Sequence, residues 1–300
     1  MILCCGEALI DMLPREAQDG SPAFAPFAGG AIFNSAIALG RLGAPVALFT
    51  GLSTDLFGEI LVRELENSRV ETGQLARSDR PTTLAFVTLT DGQAKYAFYD
   101  ENTAGRMLDT SHLPELSSDI DALLFGGISL IAEPGAETYA ALAARAAGDK
   151  LVMLDPNIRA GFVQDEARYR ARLDAMLAGA DIVKLSDEDM DWLGTDPEAL
   201  FAMGVAVVLI TRGADGVDAI TPEGTRRIAA EPAQVVDTVG AGDTFNAGFL
   251  AGLHKDGLLT RAALRDASLE LLTPAVALGT KAAAITVSRA GANPPWESEL

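Results

Sequence analysis

The feature that most restricts the fold of this chain is the alternation of short apolar runs with helical patterns. Strands that alternate with helices form a largely parallel sheet that is covered by helices on both faces. Ligands of such sheets bind beyond the carboxyl ends of the strands. The expected strands are residues 2–5, 46–50, 122–125, 151–154, 182–183, 205–210 and 233–236, and the helical patterns include residues 31–42, 134–147, 167–178, 244–253 and 260–281. The sequence therefore predicts an α/β protein.

Two segments interrupt the alternation and predict a small, separate β-sheet. Residues 84–99 contain two alternating strands around Asp91-Gly92, a strong hairpin signal, and residues 11–27 contain a weaker pair around Asp19-Gly20. Since hairpins do not belong in a doubly wound sheet, we expect segments 11–28 and 83–100 to form a lid over the strand ends. The lid would belong to one domain spanning residues 1–300. The alternative is a pair of surface hairpins with no shared role.

The composition favours a globular protein with small-molecule ligands. The formal net charge is −19, and 49% of the 300 residues are apolar, which is ample for a large core. Such a charge repels nucleic acid and anionic membranes, and no basic run offsets it, so we expect neither as a partner. Cys4 and Cys5 are adjacent in a predicted strand, so their side chains point to opposite faces and favour neither a disulfide framework nor a zinc site. Without a secretory signal pattern or an apolar run of about 18 residues, a cytoplasmic location is expected.

The segment from Asp237 to Phe245, DTVGAGDTF, predicts a strand–loop–helix junction that binds an anion. The first amides of a helix are unpaired and carry partial positive charge, and glycines let a phosphate approach the backbone closely. Asp243 would repel such a ligand. It therefore either caps the helix or accepts a proton from a hydroxyl that attacks phosphorus. The helix N-terminus is expected to lower the pKa of Asp243.

These nine residues resemble the second signature of the PfkB, or ribokinase-like, family of sugar and nucleoside kinases. The resemblance implies that Asp243 is the catalytic base and that the amides of Gly240, Ala241 and Gly242 form an anion hole. It also implies a ribokinase-like three-layer sandwich with a mostly parallel central sheet and a small β-sheet lid. The signals of other kinase classes, GxxxxGK[ST] and the HRD and DFG set, do not occur.

Three further motifs resemble the acceptor side of that family. GGAIFNSA resembles the first signature, GGxxxNxA, and DPNIR resembles the fructokinase branch. In GEALID, Asp11 is expected to end the first strand, where the main sheet passes into the lid. Read without the resemblance, they are a glycine turn, a solvated loop aspartate and a turn with a paired arginine. A carboxylate accepts two hydroxyl donors well, and a guanidinium suits a sugar or a phosphate. The implied acceptor site consists of Asp11, Gly29, Gly30, Asn34, Asn157 and Arg159.

Two segments that follow predicted strands resemble the nucleotide side. TRGADG, residues 211–216, resembles the TxGxxG nucleotide loop, with Arg212 where an apolar residue is common. KLSDED, residues 184–189, lies where the family often has an Asn-x-x-Glu pattern that organises magnesium through water. Ser186 replaces that asparagine, and either Glu188 or Asp189 takes the acidic role; the helix dipole alone would also favour these acids. The implied nucleotide-binding residues are Lys184, Thr211, Gly213, Gly216 and Thr280.

The resemblance also implies a monovalent cation. Residues 282–292, AAAITVSRAGA, resemble a segment that flanks the adenine pocket and a cation site, whereas the sequence by itself predicts a buried strand there. The implied ligands of potassium are Asp237, Thr238 and Ser288.

The resemblance spans nearly the whole chain, from GEALID to SRAGANPP. It implies transfer of the γ-phosphate of MgATP to a sugar hydroxyl, and the softer matches DPNIR, FGGISLIAEP and VKLSDED favour fructose. The nearest alternative is a 2-keto-3-deoxygluconate kinase, followed by a ribokinase or a nucleoside kinase. A sugar-binding regulator that keeps the fold without catalysis is the alternative from another class. The expected partners are ATP, a sugar and, through the lid, a second copy of the chain.

Overall fold

The computed structural model describes residues 1–90 and 93–300. The strands in chain order are β1 (Ile2–Cys5), β2 (Leu9–Glu16), β3 (Pro22–Gly29), β4 (Val46–Phe49), β5 (Gly51–Ser53), β6 (Ala76–Ser78), β7 (Leu84–Thr90), β8 (Gln93–Tyr99), β9 (Ala122–Gly126), β10 (Leu151–Asp155), β11 (Ile182–Ser186), β12 (Val207–Thr211), β13 (Val217–Thr221) and β14 (Gly224–Ile228). In these ranges an eight-stranded sheet has the order β14-β13-β12-β11-β10-β9-β1-β4. All its neighbours from β12 to β4 pair in parallel. The carboxyl ends of these strands therefore meet at one edge.

Helices cover both faces of this sheet. They are α1 (Ala31–Arg41), α2 (Leu56–Asn67), α3 (Gly135–Ala146), α4 (Glu166–Leu177), α5 (Asp187–Leu193), α6 (Pro197–Met203), α7 (Ala241–Lys255), α8 (Arg261–Arg265) and α9 (Leu269–Val287). Several begin at residues whose side chains accept an amide hydrogen bond, among them Asp55, Asp165, Asp196 and Ser268. Such caps pair amides that a helix start otherwise leaves unpaired.

The two faces of the sheet bury separate cores. Ile2 and Cys4 lie in a core formed with α1, α7 and α9, whereas Leu3 and Cys5 lie in the core formed with α3 and α4. This division follows from the alternation of side chains along a strand. The predicted three-layer α/β sandwich is confirmed, and so is the prediction that the two cysteines face opposite ways; both are free and buried.

The predicted small sheet is also present, with the strand order β3-β2-β7-β8. The hairpin of β2 and β3 is confirmed by its antiparallel register, and β7 pairs antiparallel with β8, although the turn residues Asp91 and Gly92 lie outside the described residues. Asp11 is the third residue of β2 rather than the last residue of the first strand, since β1 ends at Cys5. The lid sheet therefore begins slightly earlier than expected. That it moves as a lid within one domain stays a prediction.

Three sequence-based expectations are wrong. Residues 233–236 form no strand; they are an exposed connection, with Val235 and Val236 largely in solvent, so β-favouring residues there lack a sheet neighbour. Residues 282–287 belong to helix α9 instead of a strand, since an alanine-rich run suits a helix. The pattern over residues 260–281 is two helices, because Ser268 caps a new one.

Helix α9 is, within the described ranges, the one helix that is long and apolar enough to cross a membrane by length and composition. Its residues Leu272, Ala275, Val276 and Ala282 lie in the core that α7 also lines. Gly252 of α7 permits this contact, because a Cβ atom there would lie 2.5 Å from the Ala275 Cα atom. A helix at the core of a folded domain meets the same two criteria.

Candidate active site

Asp243 lies in the first turn of α7 and is 8% exposed. Its Oδ2 atom accepts a hydrogen bond of 2.9 Å from the Asn34 side-chain amide of α1. The Ser35 hydroxyl donates to the Asp243 main-chain carbonyl at 3.1 Å. The two predicted signatures, which are separated by about two hundred residues in the chain, therefore meet where α1 packs against α7.

Burial is the main cause that raises the pKa of Asp243 from 3.8 to about 7. The charges of Asp155 and Glu7 act in the same direction, whereas the Asn34 hydrogen bond and the charge of Lys184 oppose the rise. The expectation that the helix N-terminus lowers this pKa is therefore wrong. Removal of the carboxylate from water outweighs the dipole at this site. A carboxylate with a pKa near neutrality accepts protons better than an ordinary aspartate and is suited to general base catalysis.

The loop that precedes α7 contains the glycines expected to form the anion hole, and the Ala241 amide donates within it to the Thr238 carbonyl at 3.3 Å. Gly240 has φ of 77°, in the left-handed region, and a Cβ atom at this position would lie 2.6 Å from the Ala292 Cβ atom. Glycine is therefore required for conformation and for space. The position that a Cβ atom would take at Gly242 lies 3.3 Å from the Lys184 Nζ atom. A buried ammonium thus lies beside Gly242 in the first turn of α7.

Lys184 belongs to a buried polar cluster beneath that loop. Its Nζ atom lies 3.1 Å from the Asp155 Oδ2 atom, which also accepts a 2.7 Å hydrogen bond from the Asn246 side chain. Burial lowers the pKa of Lys184, but the charges of Asp155 and Asp189 outweigh it and keep the pKa raised. The Asp155 Oδ1 and Asn246 Oδ1 atoms are buried without a hydrogen-bond partner in the described structure. Asp155 and Asn246 were not predicted as site residues, although Asp155 ends β10 at the edge where the parallel strands end.

The acceptor side of the site lies between α1 and the lid. A Cβ atom at Gly29 would lie 2.3 Å from the Asp11 Oδ2 atom, so the glycine makes room for this carboxylate. Burial raises the pKa of Asp11 to about 6. Gly30, with φ of 110°, precedes α1. The pairing of β2 with β3 thus places Asp11 beside the strand that leads through Gly29 and Gly30 into α1. That these residues bind the acceptor stays a prediction.

Aromatic side chains on the Asp11 face of the lid sheet were not foreseen from the sequence. The register pairs Asp11 with Ala85 and Ala85 with Phe98, so Asp11 and Phe98 share a face of the lid sheet. Phe98 contacts Phe162 edge to face, with ring centroids 4.8 Å apart. Burial raises the pKa of Tyr96. The charge of Asp11 raises it too, whereas the charge of Arg159 lowers it. An alternation of aromatic residues in β8 was the available signal.

The DPNIR segment places Asn157 and Arg159 after β10. Asn157 has φ of 43°, a left-handed conformation that asparagine tolerates better than most residues. The Arg159 guanidinium is exposed and donates only to carbonyl groups of its own segment, at 3.1 Å to Ile158 and 3.4 Å to Asn157. It pairs with no carboxylate among the described residues, so the predicted turn with a paired arginine is not observed, and this cation is available to a ligand.

The nucleotide loop follows β12. Gly213, with φ of 54°, faces open space, whereas a Cβ atom at Gly216 would lie 2.1 Å from the Ile228 carbonyl oxygen. Gly216 is therefore needed for packing on β14, and Gly213 is the glycine that a nucleotide could approach. The side chain of Arg212 donates a hydrogen bond of 2.7 Å to the Asp218 carboxylate and also forms an ion pair with Asp187 of α5. The ion pair connects the loop after β12 to the start of α5. The Thr211 hydroxyl donates to the Leu185 carbonyl, and the Thr280 hydroxyl, on α9, donates to the Ala277 carbonyl.

Asp189 acts as a structural cap. Its Oδ2 atom accepts from the Ser186 amide and hydroxyl at 2.9 and 2.7 Å, and its Oδ1 atom accepts from the Ile158 amide at 2.8 Å. Glu188 is exposed. Of the two candidate magnesium residues, Glu188 therefore has the free carboxylate. No group of three or more metal-ligating side chains occurs in residues 1–90 and 93–300.

The segments implied to bind potassium lie side by side. The amides of Val236 and Asp237 both donate to the Val287 carbonyl, at 2.8 and 3.2 Å, and the Asp237 Oδ2 atom accepts from the Gly291 amide at 2.9 Å. The loop before the anion cradle is therefore tied to the end of α9. The Ser288 hydroxyl donates back to the Ile285 carbonyl, and Thr238 is exposed.

Comparison with known proteins agrees with this geometry. The model of the pfkB family carbohydrate kinases matches residues 1–299. A fructokinase from Rhizobium leguminosarum bv. trifolii is 55% identical over 267 residues, which are 87% of this chain and 82% of that protein, and a fructokinase from Salmonella typhimurium is 33% identical over 290 residues, 92% of each chain. The crystal structure of a fructokinase with bound ATP from Xylella fastidiosa has a TM-score of 0.88 at 31% identity and covers 97% of this chain and 93% of that one. The chain therefore belongs to the pfkB family of carbohydrate kinases.

Proposed function

We propose that this carbohydrate kinase is an ATP-dependent fructokinase. The observation that carries the chemistry is the buried Asp243 carboxylate, held by Asn34 at the start of α7 and directly after the glycine loop. The fructokinases from Rhizobium and Salmonella, 55% and 33% identical, support fructose as the acceptor. Family membership alone supports only the coarser statement that the acceptor is a sugar hydroxyl.

In the proposed reaction, an acceptor hydroxyl lies against Asp243, in line with the γ-phosphate of ATP. The sugar oxygen forms a bond to the γ-phosphorus, the bond from phosphorus to the β,γ-bridging oxygen breaks, and ADP leaves. The hydroxyl proton moves to the Asp243 carboxylate. Since Oδ2 is held by Asn34, Oδ1 is the atom that accepts this proton. In a loose transition state the proton leaves late, so the position of the carboxylate matters at least as much as its basicity.

The negative charge of the transferring group is stabilised by fixed donors. We assign this role to the amides of Gly240, Ala241 and Gly242, at the start of α7, and to the ammonium of Lys184, which lies beside Gly242. Such preorganised donors are typically worth roughly 10²–10³ in rate for each one removed. Thr211, Gly213 and Thr280 would contact the nucleotide, and Gly216 would shape its loop.

Two ions complete the proposal. Glu188, whose carboxylate is exposed, would hold magnesium through water, and the ion would supply positive charge at the ATP phosphates. Potassium would bind at the loop from Asp237 to Thr238, beside Ser288. The hydrogen bonds between this loop and the end of α9 support that site. The ion would order the backbone that leads into the anion hole.

The acceptor residues favour a sugar over a nucleoside. Asp11, Asn34 and Arg159 supply a carboxylate, an amide and an exposed guanidinium for hydroxyl groups. Arg159 would equally pair with the carboxylate of 2-keto-3-deoxygluconate, which therefore remains the second candidate acceptor. The aromatic contact of Phe98 with Phe162 supports closure of the lid over the sugar, which excludes water from the phosphate.

We also propose that two copies of the chain associate through the lid. Its outer face carries Phe24, Phe86 and Tyr99, which contact one another edge to face with centroids 4.9 and 5.4 Å apart. Phe24 and Tyr99 are 42% and 63% exposed. An apolar face of this kind is typical of an interaction surface. A cytoplasmic location, with no nucleic acid or membrane as partner, remains the prediction from the sequence.

The proposal is tested by measuring ADP formation with fructose and ATP for the parent and for Asp243→Asn. Loss of the base should lower kcat by about 10²–10⁴, while fructose binding, measured by calorimetry, changes little. A non-catalytic regulator would bind fructose without producing fructose phosphate. If the variant turned over within a few-fold of the parent, the role of Asp243 would be wrong.

A further inference from the structure

Glu7 lies in the turn between β1 and β2, and the reaction above assigns it no role. Its Oε1 atom accepts a hydrogen bond of 2.8 Å from the Ala31 amide, and its Oε2 atom accepts one of 3.2 Å from the Ser129 amide. Its main-chain carbonyl accepts from the Phe33 amide at 3.2 Å. A residue outside α1 therefore satisfies two of the amides that a helix start leaves unpaired.

The local sequence explains why this cap comes from a distance. The residue before α1 is Gly30, which has no side chain to cap the helix, and the first turn of α1 contains no acid. A larger residue cannot replace Gly30, because its φ is 110° and a Cβ atom would lie 2.8 Å from the Glu7 carbonyl oxygen. Close approach of the two segments thus excludes an ordinary N-cap, and Glu7 supplies both the acceptors and the negative charge that a helix N-terminus favours.

The helix that Glu7 caps carries the contacts of the reacting carboxylate. Asn34 directly follows Phe33, whose amide donates to the Glu7 carbonyl, and it donates to the Asp243 Oδ2 atom. The next residue, Ser35, donates to the Asp243 carbonyl. A shift in the first turn of α1 would move Asn34 directly. We propose that Glu7 is a positioning residue for phosphoryl transfer, which fixes the start of α1 and thereby holds the Asn34 amide against the Asp243 carboxylate. This inference rests on the function proposed above.

Glu7 also contributes to the electrostatics of the site. The charged groups that act on Asp243 are Glu7, Asp155 and Lys184; the two acids raise its pKa and the lysine lowers it. Glutamine at position 7 keeps one acceptor oxygen for an amide but removes the charge. It should therefore lower the pKa of Asp243 and move the acid limb of the kcat profile to lower pH. Loss of helix stability alone would not move that limb.

The test is a double-mutant cycle of Glu7→Ala and Asn34→Ala, measured as kcat for fructose, with Glu7→Gln in parallel. Positional errors near the chemistry typically cost one to two orders of magnitude, so Glu7→Ala should lower kcat about tenfold or more and change the KM for ATP less than about threefold. In the Asn34→Ala background, the same change should cost less than about threefold, because the contact through which Glu7 acts is already lost. The pH profile of Glu7→Gln should show the shifted acid limb.

Asp196→Ala is the matched control. Asp196 caps α6 by accepting from the Ala199 amide at 2.8 Å, and α6 carries none of the candidate site residues. This variant should lower the melting temperature and leave kcat unchanged. Additive effects of Glu7→Ala and Asn34→Ala would overturn the inference, and so would a Glu7→Ala variant with a kcat within twofold of the parent. If Glu7→Ala did not fold, an unchanged kcat and acid limb in Glu7→Gln would overturn it. These results leave the proposed function standing as long as Asp243→Asn lowers kcat by about 10²–10⁴.

Discussion

The burial of Asp243 predicts that asparagine at this position stabilises the folded protein above neutral pH. The side chain is 8% exposed, and burial raises its pKa from 3.8 to about 7. Between these values the folded protein holds a proton that the unfolded chain has released, so the stability contribution of Asp243 falls as the pH rises from about 4 to about 7. About three pH units at ~1.4 kcal/mol each give a ceiling of ~4 kcal/mol. Since asparagine is also desolvated but keeps an acceptor for Asn34, we expect a gain of about 1–2 kcal/mol at pH 8.

The assay is urea unfolding of the parent and of Asp243→Asn at pH 5 and pH 8. The gain should be smaller at pH 5, where the folded parent also carries a neutral side chain at this position. Asp119→Asn, a change at an exposed aspartate, is the control and should show no such dependence. Equal gains in the free energy of unfolding at the two pH values, or no gain at pH 8, would refute the argument that the buried, ionised Asp243 carboxylate destabilises the folded protein.

Three further predictions follow from the same site. Lys184→Met should raise the KM for ATP at least tenfold. It should also destabilise the protein by roughly 3–5 kcal/mol, because it leaves the buried Asp155 carboxylate without its cation. Adding Asp155→Asn should restore the melting temperature but not the KM, and recovery of both would contradict the role of Lys184 at the phosphates. Gly240→Ala should lower kcat by about 10² or more, whereas Gly194→Ala, at φ of 67° with open space around it, should cost about 1 kcal/mol and no activity; equal activity in the two variants would argue against the anion hole. Initial rates in potassium should exceed those in a large organic cation at equal ionic strength, and identical rates would exclude the proposed cation site.

The layer order and the two signature segments could be predicted because they depend on local patterns. Short apolar runs between helical patterns indicate a parallel sheet, and the glycines before Asn34 and Asp243 indicate close backbone approaches. The expected strand at residues 233–236 failed because β-favouring side chains form a strand only where a neighbour pairs with them. The alanine-rich end of α9 is ambiguous by periodicity alone, and its packing against α7 decides it.

The features of the site that could not be predicted from the sequence are those that depend on tertiary contacts. The pKa of Asp243 follows from burial by α1, whose contact with α7 no local pattern reveals. The pairing of Lys184 with Asp155 joins two neighbouring strands, and the cap from Glu7 joins a turn to a helix 24 positions away. The sequence also could not decide whether Glu188 or Asp189 organises magnesium. That choice depends on the hydrogen bond that the Ile158 amide donates to the Asp189 carboxylate.

The central claim is that this chain phosphorylates fructose with ATP. It is tested most directly by measuring kcat/KM for fructose, 2-keto-3-deoxygluconate, ribose and adenosine in one ADP-coupled assay, with phosphorylated products identified by mass spectrometry. Fructose should give the highest kcat/KM and should suppress background ATP hydrolysis as the lid closes. A tenfold or greater preference for another acceptor would contradict the assignment of fructose, and no phosphorylated product from any of the four would contradict the account of a sugar kinase.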